Sequence, residues 1–145
     1  MGLFDPISTA MTGVDASETW LNAVSDNIAN MNDVTSTSQA AYQPRFVIMQ
    51  AVPGQSGGTG NGAASDATIG SGVAVTGIAL GSPDGVLESD PTNPLADKDG
   101  MVRAADVDLG QQMTNMMLAQ RGYEANLATI SQAENAYQAA LGLKV

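Results

Sequence analysis

The side chains that could do chemistry in this 145-residue chain are mainly carboxylates, because the sequence contains no cysteine and no histidine. Without those two residue types the chain cannot form a disulfide, a thiolate or imidazole metal site, or a catalytic triad with histidine as its base. The carboxylates are spread along the sequence, and no two of them stand out as a pair suited to acid–base catalysis. We therefore expect a protein that is not an enzyme and that uses no cofactor.

One short acidic run, residues 97–100, has part of the pattern of a calcium-binding loop. The EF-hand pattern also needs an acidic ligand at the position of Leu95 and a glutamate at the position of Asp106. A surface turn therefore explains the run better than a metal site does. An acidic calcium-binding module remains an alternative function, and its ligands would be Asp90, Asp97, Asp99 and Asp106.

The charge balance restricts the partners that the chain can have. Fifteen acidic and five basic residues give a net charge of −10. So few cations cannot neutralise a row of phosphates, so nucleic acid and anionic membranes are poor partners. The first basic residue is Arg45, and no apolar run approaches the ~20 residues of a membrane span. We expect neither a cleaved secretory signal nor direct insertion into a membrane.

The N-terminal part of the chain, residues 5–31, has the pattern of a helix with one apolar face. Pro6 suits the first helical turn, and Gly13 in the middle lowers helix stability by about 1 kcal/mol relative to alanine. Apolar or small residues recur every seven positions, which places them along one stripe. The two interleaved rows are Ile7, Val14, Leu21 and Ile28, and Ala10, Ser17, Val24 and Met31.

A second and longer helix is expected at residues 106–141. Asp106 and Asp108 lie at its N-terminal end, where the helix dipole favours carboxylates. A helix of about 35 residues would be roughly 50 Å long, which is typical of a coiled coil rather than of a compact bundle. Its heptad rows are Leu109, Met116, Tyr123, Ile130 and Tyr137, then Met113, Gln120, Leu127, Glu134 and Leu141, flanked by the small residues Ala119, Ala133 and Ala140.

The segment between the two helices is expected to form a small β-rich insert. Gly77 is expected to mark a bulge within its strand, and Asp84-Gly85 to turn that strand into the next one as a hairpin. Residues 54–72 are dominated by Gly, Ser, Ala and Thr, which predicts a flexible loop. The runs with strand character are residues 45–52, 73–80, 86–88 and 101–102.

These patterns predict a mostly α fold with a small β insert, in which long N- and C-terminal helices pair as a coiled coil. The expected divisions are residues 1–31, 32–105 and 106–145. A few short strands cannot cover two long apolar stripes, and helices gain most of their stability from burying such a stripe. We therefore expect the stripes to pack on each other and on other copies or partner chains.

Three stretches of the sequence resemble the flagellar basal-body rod protein family, and within it the FlgC group of proximal rod subunits. Residues 25–30, SDNIAN, are similar to the S-x-N-[IL]-A-N motif of rod and hook proteins. Residues 93–102 resemble an N-P-L-A-D-x-x-G-Y-V segment, with Met101 in place of the tyrosine. Residues 107–126 resemble a V-D…E-M-x-N-M…A-x-R-x-Y-x-A-N helix pattern, with Gln112 where glutamate is common.

The resemblance implies a structural subunit of the bacterial flagellar basal body, located in the rod that spans the periplasm. Such a subunit would pass unprocessed through the flagellar type III export apparatus and join other rod proteins and copies of itself in a helical tube. Another axial component of the rod or hook type is the alternative within the same family. The predicted assembly interface consists of Ile7, Val14, Leu21, Val24, Asn27, Ile28, Asn30, Met113, Met116, Arg121, Tyr123, Asn126, Leu127, Ile130 and Tyr137.

Overall fold

The computed structural model describes residues 5–54 and 70–142, in the order helix, five short strands, helix. The helices are α1 (Asp5–Ala29) and α2 (Leu109–Gly142), of 25 and 34 residues. The strands are β1 (Val34–Thr35), β2 (Arg45–Ala51), β3 (Val73–Leu80), β4 (Val86–Ser89) and β5 (Met101–Ala104). Two helices with small antiparallel sheets between them confirm the general architecture predicted. Most of the predicted flexible loop, residues 55–69, lies outside the described residues.

Side chains bond to the backbone at the end of α1 and at the start of α2. The helix α1 ends at Ala29, two residues before the predicted position, and Asn30 Nδ2 donates to the Asp26 carbonyl oxygen in its last turn at 2.8 Å. Asp108 caps α2, because its Oδ1 accepts a hydrogen bond from the N–H of Gln111 at 3.0 Å. This cap places the first residue of α2 at Leu109, three residues later than the pattern predicted.

The β2 and β3 strands form a two-stranded antiparallel sheet that packs on α1. Their register shifts between Ile48, which pairs with Gly77, and Met49, which pairs with Val75. Thr76 is therefore the extra residue of a β-bulge, and it lies next to the glycine at which a bulge was predicted. At the start of β3, the Val73 N–H donates to Thr12 Oγ1 of α1 at 3.1 Å.

The predicted hairpin around Asp84-Gly85 is wrong. The β4 strand does not pair with β3 but with β5, in a three-stranded sheet of order β1-β5-β4. The two strands on either side of the turn thus belong to different sheets. Gly85 has a φ of 56°, and a Cβ at this position would clash with the Ala104 carbonyl oxygen. An Asp-Gly pair identifies a turn but not the strand that pairs after it, which is why the sequence pattern misled here.

The interior of the described chain is made of small side chains, in keeping with the low aromatic content of 4%. Its fully buried apolar residues are alanines and valines rather than leucines or phenylalanines. Such residues let backbones approach closely but bury little area each. The buried apolar residues are Ala10, Ala16, Ala23, Val24, Ala41, Val102, Ala105 and Ala119.

Within residues 5–54 and 70–142, neither helix has a stretch long and apolar enough to cross a membrane.

Candidate assembly interface

The two helices lie antiparallel in one register. A Cβ placed on Gly13 of α1 would lie 2.6 Å from Asn126 Nδ2 of α2, and a Cβ placed on Gly122 would lie 3.2 Å from Ser17 Oγ. Four residues forward along α1 therefore correspond to four residues back along α2. The close approach explains a glycine in the middle of α1, since a larger residue at that position would meet Asn126.

The contact between α1 and α2 is called the seam below. On α1, the residues buried there are largely those of a row that heptad spacing predicted. Ser17 and Val24 are buried together with Ala10, which is one of the two expected rows, and Asn27 is buried with them. Ala16 and Ala23, one position before two members of this row, are buried as well. The remaining members of the predicted interface on α1 are all half-buried: Ile7, Val14, Leu21, Ile28 and Asn30.

The α2 side of the seam uses a different row from the two apolar rows that the sequence emphasised. Gln112 and Ala119, seven residues apart, are the buried residues of α2. The same spacing continues through Asn126 and Ala133, which are half-buried. The flanking row of small residues therefore faces α1. Of the predicted interface residues on α2, those that lie beside this row and are half-buried are Met116, Tyr123, Asn126 and Ile130.

Four predicted interface residues of α2 are exposed. Met113 is 55% exposed and Leu127 is 43% exposed, although both are large apolar side chains. Arg121 and Tyr137 are exposed too. The structure therefore divides the predicted set into residues that are buried or half-buried within the chain and residues of α2 whose side chains are exposed.

Asn27 connects three elements of the chain through its side-chain amide. Its Nδ2 donates to the Arg45 carbonyl oxygen at 3.0 Å and to Gln112 Oε1 at 3.2 Å. Its Oδ1 accepts from the Arg45 N–H at 2.7 Å and from the Tyr42 hydroxyl at 3.1 Å. Both donor hydrogens and two acceptor positions are thus used, as a side chain that is only 1% exposed requires. Asn27 holds α1, the start of β2 and α2 in fixed positions.

An exposed ion pair lies close to this buried amide. Asp26 and Arg45 form an ion pair whose side chains are 44% and 47% exposed, so the pair contributes little to stability. Tyr42 lies between them and Asn27. Burial raises the pKa of the Tyr42 hydroxyl above its ordinary value, and the negative charge of Asp26 raises this pKa further, while Arg45 opposes the shift.

The acidic run of residues 97–100 forms a turn instead of an open carboxylate cluster. Asp97 Oδ1 accepts hydrogen bonds from the N–H groups of Asp99 and Met101, at 2.9 and 3.0 Å, and Oδ2 accepts one from Thr37 Oγ1 at 3.0 Å. The Met101 N–H is the main reason why the pKa of Asp97 lies below its ordinary value. Gly100 completes the turn with a φ of 75°.

Asp90 has a similar structural role at the start of the same loop. Its carboxylate accepts hydrogen bonds from Thr92 Oγ1 at 2.8 Å and from Asn93 Nδ2 at 3.2 Å, and these bonds lower the pKa of Asp90. Within the residues that the structure describes, no three carboxylates are grouped so that they could hold a metal ion. The structure therefore gives no support to the calcium-binding alternative.

Comparison with known proteins assigns a class to this arrangement. The family model described as flagellar basal body rod FlgEFG protein C-terminal matches residues 98–143, which include β5 and α2 and begin within the acidic turn, one residue after Asp97. The part of the fold that contains β5 and the C-terminal helix α2 is thus similar in sequence to the C-terminal region of flagellar rod proteins.

Full-length relatives make the assignment more specific. The flagellar basal-body rod protein FlgC of Salmonella typhimurium strain LT2 is 31% identical over 133 residues, which cover 90% of each chain. FlgC of Borreliella burgdorferi is 30% identical over 149 residues, covering 99% of this chain and 98% of the relative. FlgC of Bacillus subtilis strain 168 is 28% identical over 144 residues, covering 90% and 91%. The chain therefore belongs to the FlgC family of flagellar basal-body rod proteins, and the resemblance inferred from its motifs is confirmed.

Two contributors to the seam were not predicted as such. Gln112 was noticed only as a departure from a motif, and Gly122 was not noticed. Both follow from the row of small residues: extending Ala119 back by seven positions gives Gln112, and Gly122 lies between Ala119 and Asn126 on the same face. Small and amide side chains at heptad spacing were therefore the signal for the seam on α2.

Proposed function

We propose that this chain is a structural subunit of the proximal rod of the bacterial flagellar basal body, and that it polymerises through its terminal helices into a helical tube that acts as a drive shaft. Its partners are copies of itself and other rod proteins, and it reaches the rod through the flagellar type III export apparatus without a cleaved signal. It neither inserts into a membrane nor binds nucleic acid. Membership of the FlgC family supports the location in the basal body.

The observation that carries this proposal is the difference between two sides of α2. One side packs on α1 through Gln112 and Ala119, whereas Met113 and Leu127 lie on another side and remain about half exposed. Covering the exposed half of such a side chain stabilises an interface by about 1 kcal/mol, roughly half the value for burying a whole one. A face of this kind on each subunit, docked on a different surface of the next subunit, produces a contact that repeats without closing. Within each subunit, the N- and C-terminal helices pair with each other as a coiled coil.

The charges of the two helices favour such a contact over random association. The acidic residues of α1 include Asp15 and Glu18, both exposed, and α1 has no basic residue. The one basic residue of α2, Arg121, is exposed. Arg121 therefore pairs with an acidic residue on α1 of the adjacent subunit, while the net charge of −10 keeps unassembled subunits apart.

A charge placed on the exposed apolar row tests the proposal. Cells would carry Leu127→Glu or Thr129→Glu as the sole copy; Thr129 is exposed on another side of the same helix. We expect Leu127→Glu to abolish incorporation into isolated rods and swimming motility, with a thermal midpoint of the purified monomer like that of the parent. Thr129→Glu should retain incorporation. Wild-type motility with Leu127→Glu would contradict the proposal.

A crosslinker at the same position separates the rod from the hook alternative. The row that contains Leu127 faces outward, so a photoreactive residue placed there captures its neighbour in the assembled structure. We expect crosslinks to rod proteins and to copies of this chain. Crosslinks only to hook proteins would instead support a hook component.

A further inference from the structure

We propose that β4 is a docking edge, to which an extended segment of a partner protein rich in lysine or arginine adds as a further strand. This edge is separate from the outward face of α2. The proposal therefore does not depend on polymerisation through the helices, and the two can fail independently.

The geometry of the sheet leaves the outer side of β4 open. In the order β1-β5-β4, β5 lies in the middle and β4 at one edge, and all four residues of β4 are exposed. The Asp90 N–H donates to the Gly100 carbonyl oxygen at 3.0 Å, which continues the ladder between β4 and β5. Backbone groups alternate sides along an antiparallel strand, so those of Val86 and Glu88 face β5, whereas those of Leu87 and Ser89 face away.

The other side of the sheet follows the same alternation. The Ala105 N–H donates to the Asp33 carbonyl oxygen at 3.1 Å, and Arg103 pairs with Thr35 of β1. Both sides of β5 are therefore occupied, and no strand of the described chain lies beyond β4. Two N–H and two C=O groups, those of Leu87 and Ser89, form the free edge that an added strand would pair with.

The charges around β4 indicate what kind of strand fits. Residues 82–100 contain five carboxylates and a single lysine. Glu88 lies within β4 and is exposed. The Asp84 side chain just before β4 is 87% exposed, and its Oδ1 lies 3.6 Å from Nη1 of Arg103 on β5, so this carboxylate is partly neutralised and Glu88 is the main free charge of the edge. A second copy of this chain paired along β4 would bring two such acidic edges together, which is unfavourable. A strand with lysine or arginine side chains instead finds opposite charges along its length.

The edge also offers an apolar contact. Leu87 is 58% exposed and Val86 is 49% exposed, and they lie on opposite faces of the sheet because successive residues alternate. An added strand in which cationic residues alternate with β-branched ones would place its β-branched face against Leu87 and its cationic face beside Glu88, which shares a face with Val86. The partner is therefore an extended segment in which cationic and β-branched residues alternate.

The test uses the full-length chain and two synthetic peptides, Lys-Val-Thr-Val-Lys-Val and Glu-Val-Thr-Val-Glu-Val. Fluorescence anisotropy measures affinity, and NMR amide exchange locates the site. We expect the cationic peptide to bind at least tenfold more tightly than the acidic one and to slow exchange of the Leu87 and Ser89 amides at least tenfold. Leu87→Pro removes one outward N–H without removing a bond to β5, and it should weaken binding at least tenfold.

Glu88→Lys is the second variant. It retains every backbone donor, so it still tests the proposal if Leu87→Pro destabilises the sheet. It should reduce the preference for the cationic peptide at least threefold, because the carboxylate within β4 becomes a cation while the surrounding acidic residues remain. Equal binding of both peptides, unchanged exchange at Leu87 and Ser89, or an unchanged preference in Glu88→Lys would each overturn the proposal. The proposal would also be overturned if the parent chain dimerises and Leu87→Pro abolishes the dimer, because the strand paired with β4 would then belong to a second copy.

Discussion

Asn27 Nδ2 lies 3.2 Å from Gln112 Oε1, and this buried hydrogen bond joins the two terminal helices at positions 85 residues apart in the sequence. Because the same amide bonds to the N–H and C=O of Arg45, the position of β2 is fixed relative to both helices. The first of the motifs that resemble rod proteins, residues 25–30, therefore has a structural role at the first of its two asparagines, Asn27. It connects the helical pair to the β insert.

Replacing Asn27 by alanine should destabilise the chain substantially. The change removes four hydrogen bonds and leaves the Arg45 N–H and Gln112 Oε1 without their buried partner. Unsatisfied buried groups cost about 1–3 kcal/mol each, so we expect a loss of about 3 kcal/mol in the free energy of unfolding, measured with urea. Asn22→Ala, at an exposed position of the same helix, should change stability little. Equal losses in both variants would contradict the role of Asn27.

Gly13→Ala should destabilise the helix pair even though alanine is the better helix former. The exchange would stabilise an isolated helix by about 1 kcal/mol. In the folded chain, however, the new Cβ would lie 2.6 Å from Asn126 Nδ2, so the Asn126 amide must move and lose its 2.8 Å hydrogen bond to the Gly122 carbonyl oxygen, and leaving half-buried polar groups unpaired costs about 1–3 kcal/mol. Urea unfolding of Gly13→Ala, Asn126→Ala and the double variant forms a thermodynamic cycle. We expect the double variant to be more stable than the two single changes predict together, and strict additivity would exclude the close contact.

Heptad spacing was enough to predict both helices and the buried row of α1, but not the row of α2 that faces α1. On α1, Ser17 and Val24 belong to a stripe whose other side carries acidic residues, so only one face could be buried. On α2, apolar residues extend around much of the surface. Hydrophobic periodicity then favours the rows with large apolar residues, such as the one with Met113 and Leu127, over the seam row, because two of the four seam residues are the amides Gln112 and Asn126. The row that contains Ala119 faces α1 because its small side chains let the two helices pack closely.

The error at Asp84-Gly85 has a related cause. The strand segments were predicted at nearly the observed positions, since turn residues limit their length. Pairing, however, depends on contacts between residues distant in sequence, such as Glu88 with Val102. Local turn chemistry does not contain that information. The two-residue strand β1 was also missed, because a run this short has no period to detect.

The turn held by Asp97 should loosen in acid. Its pKa is below the ordinary value of 3.8 because the folded chain donates hydrogen bonds to the ionised form, chiefly from Met101. A depressed pKa means that this stabilisation is complete above the ordinary value and is lost as the pH falls through the folded value. NMR should show faster amide exchange, relative to the intrinsic rate, at Asp99 and Met101 as Asp97 becomes protonated.

The matched variants for this turn are Asp97→Ala and Asp99→Ala. Asp97→Ala should show fast relative exchange at Met101 at neutral pH and no further loosening in acid. Asp99 contributes its N–H but not its carboxylate to the turn, so Asp99→Ala should retain the acid-induced change. If Asp97→Ala behaves like the parent chain, the carboxylate does not hold the turn.

Tyr42 should make the chain less stable at alkaline pH. Its pKa is raised above 10.0, first by burial and then by Asp26, so the unfolded chain loses this proton at a lower pH than the folded chain does. The stabilisation is therefore complete below the ordinary pKa and declines as the pH rises through the folded value. The urea midpoint should fall less between neutral and alkaline pH in Tyr42→Phe than in the parent. Tyr137→Phe, which leaves Tyr42 in place, should follow the parent, and a parallel decline in all three chains would contradict this origin.

The C-terminal turns of α2 should become fully stable only in the assembly. In the register set by Gly13 and Asn126, the first described residue of α1 lies opposite Glu134, and residues 138–142 are exposed. Helical turns without a packed face have little stability of their own. Hydrogen exchange should therefore be at least tenfold faster at residues 138–142 of the isolated chain than in purified rods, whereas residues 115–126, which lie along the seam, should be protected in both. Similar protection of residues 138–142 in the two states would show that no neighbouring molecule covers this end.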